Sequence, residues 1–170
     1  MVTPESIERL YDEHAQALFA FLLNFTRDEA DTRDLIQEIF VKIARQPDLL
    51  KGIAAQRAYL LRLAHNLAVD LIRRRSARTR RAEAAAANSV ELFARAADPD
   101  ENTFGDALSI AMGDLPEDQR AVVHLKLWEG MTFDSIGEVL DLPLNTAASR
   151  YRYGIDKLRH LLRPIYEELK

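Results

Sequence analysis

The chain has 170 residues, which suffices for one or two small domains and excludes a large multidomain enzyme. It contains no cysteine, so disulfides, thiolate catalysis and cysteine-ligated zinc are excluded, and a cytoplasmic location fits best. The net charge of -4 hides an uneven distribution, because residues 51–82 carry nine basic side chains and one acidic one between two acidic segments. This asymmetry predicts a local binding site for a polyanion.

Neither a targeting segment nor a membrane insertion is expected. The N-terminal residues 1–5 lack an apolar segment, and the longest uncharged run, residues 14–26, is too short to cross a bilayer. Glycine and proline are scarce, with six of each in the chain. Since leucine, alanine, arginine and glutamate are plentiful, the composition predicts an all-α fold.

The first half of the chain contains three amphipathic stretches. Apolar residues recur at helical spacing over 7–25, over 35–43 and over 60–72. Pro47 ends the second stretch, and residues 48–53 are predicted to form a loop. We therefore expect a first module of three helices over residues 1–81.

The third helix runs into a strongly basic segment. Residues 73–81 contain six arginines, which is more than a helix C-terminus needs for its dipole. Beside Asn66 and His65 they fit a groove that tracks a nucleic acid backbone, although Tyr59 alone supplies an aromatic ring nearby. The alternative is a solubilising helix end or a flexible basic tail.

A linker is expected over residues 82–106, where the chain becomes alanine-rich, then acidic, without sustained apolar periodicity. The second module, residues 107–170, begins with a helix from about Pro116 to Trp128. Gly130 is expected at a helix C-cap and Thr132 at the next N-cap.

Two further helices complete this module, a short one over 133–140 and a longer one over 145–162, with a tight turn over 141–144. Gly137 allows the two to approach closely, which is typical of a helix-turn-helix unit. The last helix would then read DNA with polar side chains, and Trp128, Phe133 and Leu140 would form core. The alternative is a helical hairpin with a solvated charged face.

Motifs of enzymes are absent from the sequence. The four histidines lie without ligand spacing, no glycine-rich phosphate loop occurs, and the acids form no recognisable catalytic pair. We therefore expect no catalytic activity, no metal and no cofactor. On composition, the polar face of the second helix is either solvated or a docking surface for a partner.

Several ordered segments resemble the extracytoplasmic function sigma factors of bacteria, the smallest initiation factors of the sigma-70 family. Together these segments span nearly the whole chain, in order and at about the right spacing. They are Asp34–Phe40 (DLIQEIF), Tyr59–Arg75 (YLLRLAHNLAVDLIRRR), Leu115–Arg120 (LPEDQR), Glu129–Thr132 (EGMT) and Ser149–Arg150.

The resemblance implies that the first module is sigma region two and the last is region four. It also implies contacts with core RNA polymerase and with the minus-10 and minus-35 promoter elements, the first of which is opened and read as a single strand. The implied polymerase-binding residues are Asp34, Gln37, Glu38 and Phe40. The implied minus-10 residues are Arg62, Asn66, Asp70, Arg73 and Arg74, beside the loop over 49–56. The implied minus-35 residues are Thr146, Ser149, Arg150, Arg152 and Tyr153.

Three departures from the family pattern concern the helix-turn-helix, and one of them is Gly137, where the family usually has alanine. Asn145 stands where the family commonly has glycine, and we expect it to tolerate a left-handed backbone there. Ser135 replaces the family's acid, which weakens the capping box that starts at Thr132.

The resemblance further implies an anti-sigma factor as a partner. Two other readings remain open: a helix-turn-helix regulator that binds duplex operators without polymerase, and a sigma-like decoy that titrates an anti-sigma factor. The regulator hypothesis leaves the segment 34–40 without a role. The decoy hypothesis is disfavoured because a decoy need not keep DNA-reading arginines, such as the cluster over 73–81 and Arg150.

Overall fold

The computed structural model describes residues 3–83 and 103–168, and in these ranges every regular element is helical, which confirms the all-α prediction. No helix in the described ranges has the length and apolar character needed to cross a membrane. The helices are α1 (Pro4–Thr26), α2 (Glu29–Arg45), α3 (Gln56–Glu83), α4 (Thr103–Gly113), α5 (Glu117–Leu127), α6 (Phe133–Leu140) and α7 (Leu144–Glu168).

Local signals explain where α1 and α2 begin. The hydroxyl of Thr3 accepts a hydrogen bond from the backbone N–H of Ser6, and Pro4 occupies the first turn of α1. Arg27 ends α1 in the left-handed conformation. The side chain of Asp28 then caps α2 by accepting from the Asp31 N–H at 2.8 Å. The first two helices therefore form a hairpin with almost no connecting chain.

Two predictions about the following segment change in detail. Residues 47–50, the start of the predicted loop, form a 3-10 turn. The arginine run is part of α3, which continues without a break to Glu83, so the run is a helix and not a flexible tail. A helix of 28 residues is about 42 Å long, so its basic end extends well beyond the three-helix module.

In the second module, α5 and α6 match the predicted helices, while α7 begins at Leu144 and extends to Glu168, beyond the predicted end at residue 162. The prediction that Trp128 is core is wrong, because its side chain is 45% exposed. It lies at the C-cap of α5 and stacks one face of its indole on His124, which leaves the other face in solvent. Leu140 is buried, and Phe133 is partly buried.

The two modules pack against each other, α1 on α5 and α3 on α6, and buried side chains of both form one continuous core. A smaller cluster joins α4, α5 and α7. Most of the predicted linker, including the break expected over 98–102, lies outside the described residues. The division at residues 82 and 106 remains a prediction, with α3 ending at Glu83 and α4 beginning at Thr103.

Candidate nucleic-acid and polymerase interfaces

The outer face of α2 carries three of the four residues implied in polymerase binding. Asp34, Gln37 and Glu38 are all exposed, because the opposite face of the helix is buried against α1 and α3. Their spacing of three and four residues puts them on one side of the helix. The three side chains form an exposed polar stripe that makes no hydrogen bond or ion pair with the second module among the described residues.

Phe40 does not share this surface. Its ring is 8% exposed and packs edge-on against Tyr11 of α1, with 4.9 Å between the ring centroids. Val41, which the sequence analysis did not single out, is exposed beside Gln37 and Glu38. The period of the helix alone would have identified it, because residues 34, 37, 38 and 41 form one stripe.

The implied minus-10 residues lie together on α3. Arg62, Asn66 and Asp70 follow one another at four-residue intervals, and Arg73 and Arg74 continue the row by one more turn. All five side chains are exposed. The face combines three cations with one amide and one carboxylate, which suits phosphate contacts interleaved with polar contacts to bases.

The six arginines of residues 73–81 fall into two groups in the structure. Arg75 is the exception among the six arginines, because its guanidinium pairs with the carboxylate of Asp31 on α2. The side chains of the other five, Arg73, Arg74, Arg78, Arg80 and Arg81, are exposed and form no ion pair with the described residues. The basic surface therefore has one anchored residue and five available ones.

The turn between α6 and α7 is tight, as Gly137 predicts. A Cβ at Gly137 would lie 2.6 Å from the backbone oxygen of Leu142, and the Leu142 N–H donates to the Gly137 carbonyl at 2.8 Å. Asp141 adopts the left-handed conformation, with φ of 56°. The expectation that Asn145 would take this conformation is wrong, because α7 has already begun at Leu144.

The N-cap of α6 forms despite the missing acid. The hydroxyl of Thr132 accepts from the backbone N–H of Ser135 at 3.2 Å, and the two hydroxyls lie 3.0 Å apart. The pair of hydroxyls thus replaces the reciprocal arm of a capping box only in part, since the backbone N–H of Thr132 donates no hydrogen bond to the Ser135 side chain.

The implied minus-35 residues lie on the first three turns of α7. Arg152 and Tyr153 are exposed, and the Arg152 guanidinium lies 5.2 Å from the Tyr153 ring. Arg150 is half-buried and its Nε pairs with Asp118 of α5 at 3.1 Å. The Ser149 hydroxyl donates to the Asn145 carbonyl at 2.8 Å. The inner face of α7 packs on α5 and α6 and so directs this polar face outward.

Polar contacts also join the two modules, and the sequence analysis missed them. The buried guanidinium of Arg120 donates to the carbonyls of Asn24 and Phe25 at the end of α1, at 3.1 and 3.2 Å. It also donates to the carbonyls of Gly113 and Leu115, at 3.2 and 2.9 Å. Burial and the nearby Arg27 lower the pKa of Arg120 from its usual value. A single cation thus satisfies four carbonyls from both modules.

His124 lies beside Arg120 in this interface. Its Nδ1 and the Asn24 amide nitrogen are 2.8 Å apart, and its ring is 1% exposed. Burial lowers its pKa to about 4, so the ring is neutral at pH 7. Its Nε2 lies 4.0 Å from a carboxylate oxygen of Glu129, which in turn accepts from Arg57 Nε of α3 at 2.6 Å. The interface is therefore a polar network as well as an apolar core.

The packing of the two modules against each other also affects Arg62. This residue borders a cleft whose other wall is the α6–α7 turn, where Asp134, Glu138 and Asp141 carry negative charge. The exposed polar faces of α3 and α7 are thus not equally accessible, because one end of the α3 face adjoins the second module. No cluster of three or more potential ligands that could hold a metal ion occurs in the ranges the structure describes.

Comparisons with known proteins agree with this arrangement. The family described as sigma-70 region 2 matches residues 10–78, and the family described as sigma-70, region 4 matches residues 111–160. The chain is 32% identical over 160 residues to the ECF RNA polymerase sigma factor SigL of Mycobacterium tuberculosis, covering 92% of this chain and 88% of that protein. It is 24% identical to the ECF RNA polymerase sigma factor SigX of Bacillus subtilis, covering 97% and 88%.

A solved structure shares the fold. The sigma factor RpoE of Bartonella quintana, in co-crystal with the anti-sigma factor NepR, superposes with a TM-score of 0.78. The match covers 92% of this chain and 96% of that one at 18% sequence identity.

Proposed function

Because the chain belongs to the extracytoplasmic function group of the sigma-70 family of RNA polymerase sigma factors, we propose that it brings core polymerase to its promoters from the cytoplasm and catalyses no reaction of its own. The observation that carries the proposal is the presence of three exposed polar faces, on α2, α3 and α7, within the two matched regions. A duplex-binding regulator would need only the last of them.

The outer face of α2 is the proposed contact with core polymerase. Asp34, Gln37 and Glu38 offer charge and amide groups on a rigid helix, and Val41 adds an apolar side chain at the end of the same stripe. Phe40 supports this surface from the core side through its contact with Tyr11. We propose that it shapes the surface from below, without reaching the partner.

The exposed face of α3 is the proposed minus-10 site. Arg73 and Arg74 would hold backbone phosphates, while Asn66 and Asp70 offer hydrogen bonds to unstacked bases. Single-stranded DNA fits this face better than duplex, because an exposed basic row tracks a flexible backbone and bases can turn towards the amide. Arg62 would join this site once the cleft beside α6 has opened.

The outward face of α7 is the proposed minus-35 site. An α-helix fits the major groove of B-DNA, and Arg150 and Arg152 are the side chains able to donate two bonds to guanine. Thr146 and Ser149 lie one turn apart for bonds to phosphate or base, and Tyr153 lies beside them. Arg150 pairs with Asp118 in this structure, so it must release that carboxylate before it can bind DNA.

We also propose an anti-sigma factor as a partner of this chain. The solved relative RpoE is described in complex with the anti-sigma factor NepR, and the shared fold covers both modules. In this structure the two modules are packed against each other, and α6 lies on α3 beside the proposed minus-10 face. A protein that stabilises this arrangement would therefore restrain promoter binding.

Binding assays with core polymerase test the assignment of faces. Gln37→Ala/Glu38→Ala should weaken core binding at least tenfold, because the side chains at the centre of the stripe are removed. Arg73→Ala/Arg74→Ala should leave core binding within twofold but weaken the polymerase complex on promoter DNA. Equal loss of core binding in both variants would contradict the assignment, and His160→Ala at an exposed position on the far part of α7 is the surface control.

A further inference from the structure

Arg75 interrupts the exposed arginine run and turns towards α2. Its Nη2 donates to Asp31 Oδ1 at 2.5 Å, and its Nη1 contacts the second carboxylate oxygen, so both ends of the fork are engaged. Two parallel contacts fix the orientation of a guanidinium as well as its position. Arg75 is thus unavailable for a phosphate while this pair is formed.

Asp31 is also held in place at the start of its own helix. Its side chain is 11% exposed, and its backbone N–H is bonded to the Asp28 carboxylate at the start of α2. Arg75 is the cation that pairs with Asp31 within the described residues. The Asp31 end of the pair is buried while the Arg75 side chain is 54% exposed, so the cost of breaking the pair falls mainly on the carboxylate.

The pair lies where the packing of α3 ends. The last apolar side chains of α3 against the core are Leu71 and Ile72, and residues 77–81 are exposed. No hydrogen bond or ion pair joins the described side chains beyond Arg75 to another helix. The Asp31–Arg75 pair is therefore the last polar tether before the free basic end.

Fixing Arg75 also fixes its neighbours. Successive residues on a helix are rotated by about 100°, so with Arg75 held against α2 the neighbouring Arg73 and Arg74 are directed away from that contact, towards solvent. Loss of the tether would let the end of α3 fray or rotate. The proposed strand-binding arginines would then lose their fixed direction relative to the polymerase-binding face of α2.

We propose that Asp31 is a positioning residue for promoter opening, acting through Arg75 to orient Arg73 and Arg74 against the α2 docking face. The inference rests on the proposed function, and it adds a role to a residue that touches neither DNA nor polymerase. The pair would link the helix that docks on polymerase to the helix that holds the opened strand.

Open-complex formation with core polymerase tests this role. Asp31→Asn keeps the size of the side chain and removes its charge. We expect it to slow opening of a duplex promoter about tenfold, the equivalent of one charged hydrogen bond, with core affinity unchanged within twofold. On a promoter whose minus-10 element is already unpaired, the defect should shrink to within about twofold.

Two further variants separate positioning from folding. Arg75→Gln leaves an unpaired buried carboxylate and can unfold the end of the module, whereas Asp31→Asn/Arg75→Gln leaves no unpaired charge. The double variant should be no slower than Asp31→Asn alone. Glu29→Gln removes the exposed pair with Arg33 on the same helix and should change neither rate, because both partners are solvated.

Each outcome has one meaning. Unchanged duplex opening in Asp31→Asn overturns the inference, and so does a double variant that opens the duplex much more slowly than Asp31→Asn, which would make Arg75 a direct phosphate ligand. Equal loss on duplex and unpaired templates, together with lost core binding, would reduce the pair to a structural one. If the unaltered chain forms no open complex at all, the proposed function fails first.

Discussion

Arg120 shows how a single side chain can hold two modules together. Its guanidinium satisfies carbonyls at the end of α1 and in the connection between α4 and α5. Carbonyls at a helix end have no partner within the helix, so a buried end needs a donor from elsewhere. Sequence alone places Arg120 only in the first turns of α5, because nothing in the local pattern indicates a partner 95 residues away.

Replacing Arg120 should therefore cost more than replacing any exposed arginine. Arg120→Ala leaves buried carbonyls without a donor, and we expect a loss of about 3 kcal/mol in the free energy of unfolding. Urea unfolding followed by circular dichroism measures it. Arg152→Ala, at an exposed position, is the control and should change stability by less than about 0.5 kcal/mol. Equal effects would contradict this account of the interface.

His124 makes the stability of the folded protein depend on pH in the acidic range. Burial lowers its pKa to about 4, from 6.5 in an unfolded chain, so the folded state favours the neutral ring. The stability that this preference gives the folded state is fully present above pH 6.5 and is lost as the pH falls towards 4. Glu129 faces the ring and would favour protonation, but Arg57 already neutralises that carboxylate.

We accordingly expect the free energy of unfolding to fall by about 2 kcal/mol more between pH 7 and pH 4.5 in the unaltered chain than in His124→Gln. The amide of glutamine can still pair with Asn24 but does not titrate. Urea unfolding across this pH range measures the difference. Parallel curves for the two proteins would show that His124 does not supply this pH dependence.

At the scale of the elements, the sequence predicted most helices because their signals are local. Apolar periodicity and the caps at Thr3, Asp28 and Thr132 define α1, α2 and α6. The misplaced features depend on tertiary context. Trp128 lies in solvent on one face because His124 occupies the other, and the left-handed residue is Asp141 because α7 begins earlier than expected.

Gly137 offers a test of the helix-turn-helix. Gly137→Ala would put a Cβ 2.6 Å from a backbone oxygen, so the turn must move, and we expect a loss of about 2 kcal/mol in stability. The shift should also weaken binding of the polymerase complex to the minus-35 element. Gly113→Ala is the control, because its Cβ would meet only the tip of the flexible Arg27 side chain. Thermal unfolding that affects both variants equally would contradict the close approach.

At the scale of the whole molecule, the packing of the two modules against each other could not be predicted from the sequence. Each module shows its own periodicity, but that periodicity does not indicate which apolar side chains join the shared core, and the polar contacts across it, such as Arg57 with Glu129, follow no pattern. The candidate faces on α2, α3 and α7 could be found, because exposure follows helical period. Their mutual accessibility could not, since it depends on how the modules meet.

Glu129→Lys should favour opening of the molecule, because it places a cation against Arg57 and removes the pair. Since the chain has no cysteine, Ala20→Cys and His160→Cys can carry a pair of fluorophores on exposed positions of α1 and α7. We expect energy transfer to fall in the Glu129→Lys background. Glu8→Lys, at an exposed position of α1 without an ion pair among the described residues, is the control and should leave the transfer unchanged.

Run-off transcription with bacterial core polymerase tests the central claim most directly, starting with the DNA upstream of the gene for this chain. We predict a specific transcript that requires the chain, is lost with Gln37→Ala/Glu38→Ala through core binding, and is lost with Arg73→Ala/Arg74→Ala through DNA opening. A chain that binds duplex DNA alone, yet neither binds core polymerase nor supports a transcript, would contradict the account.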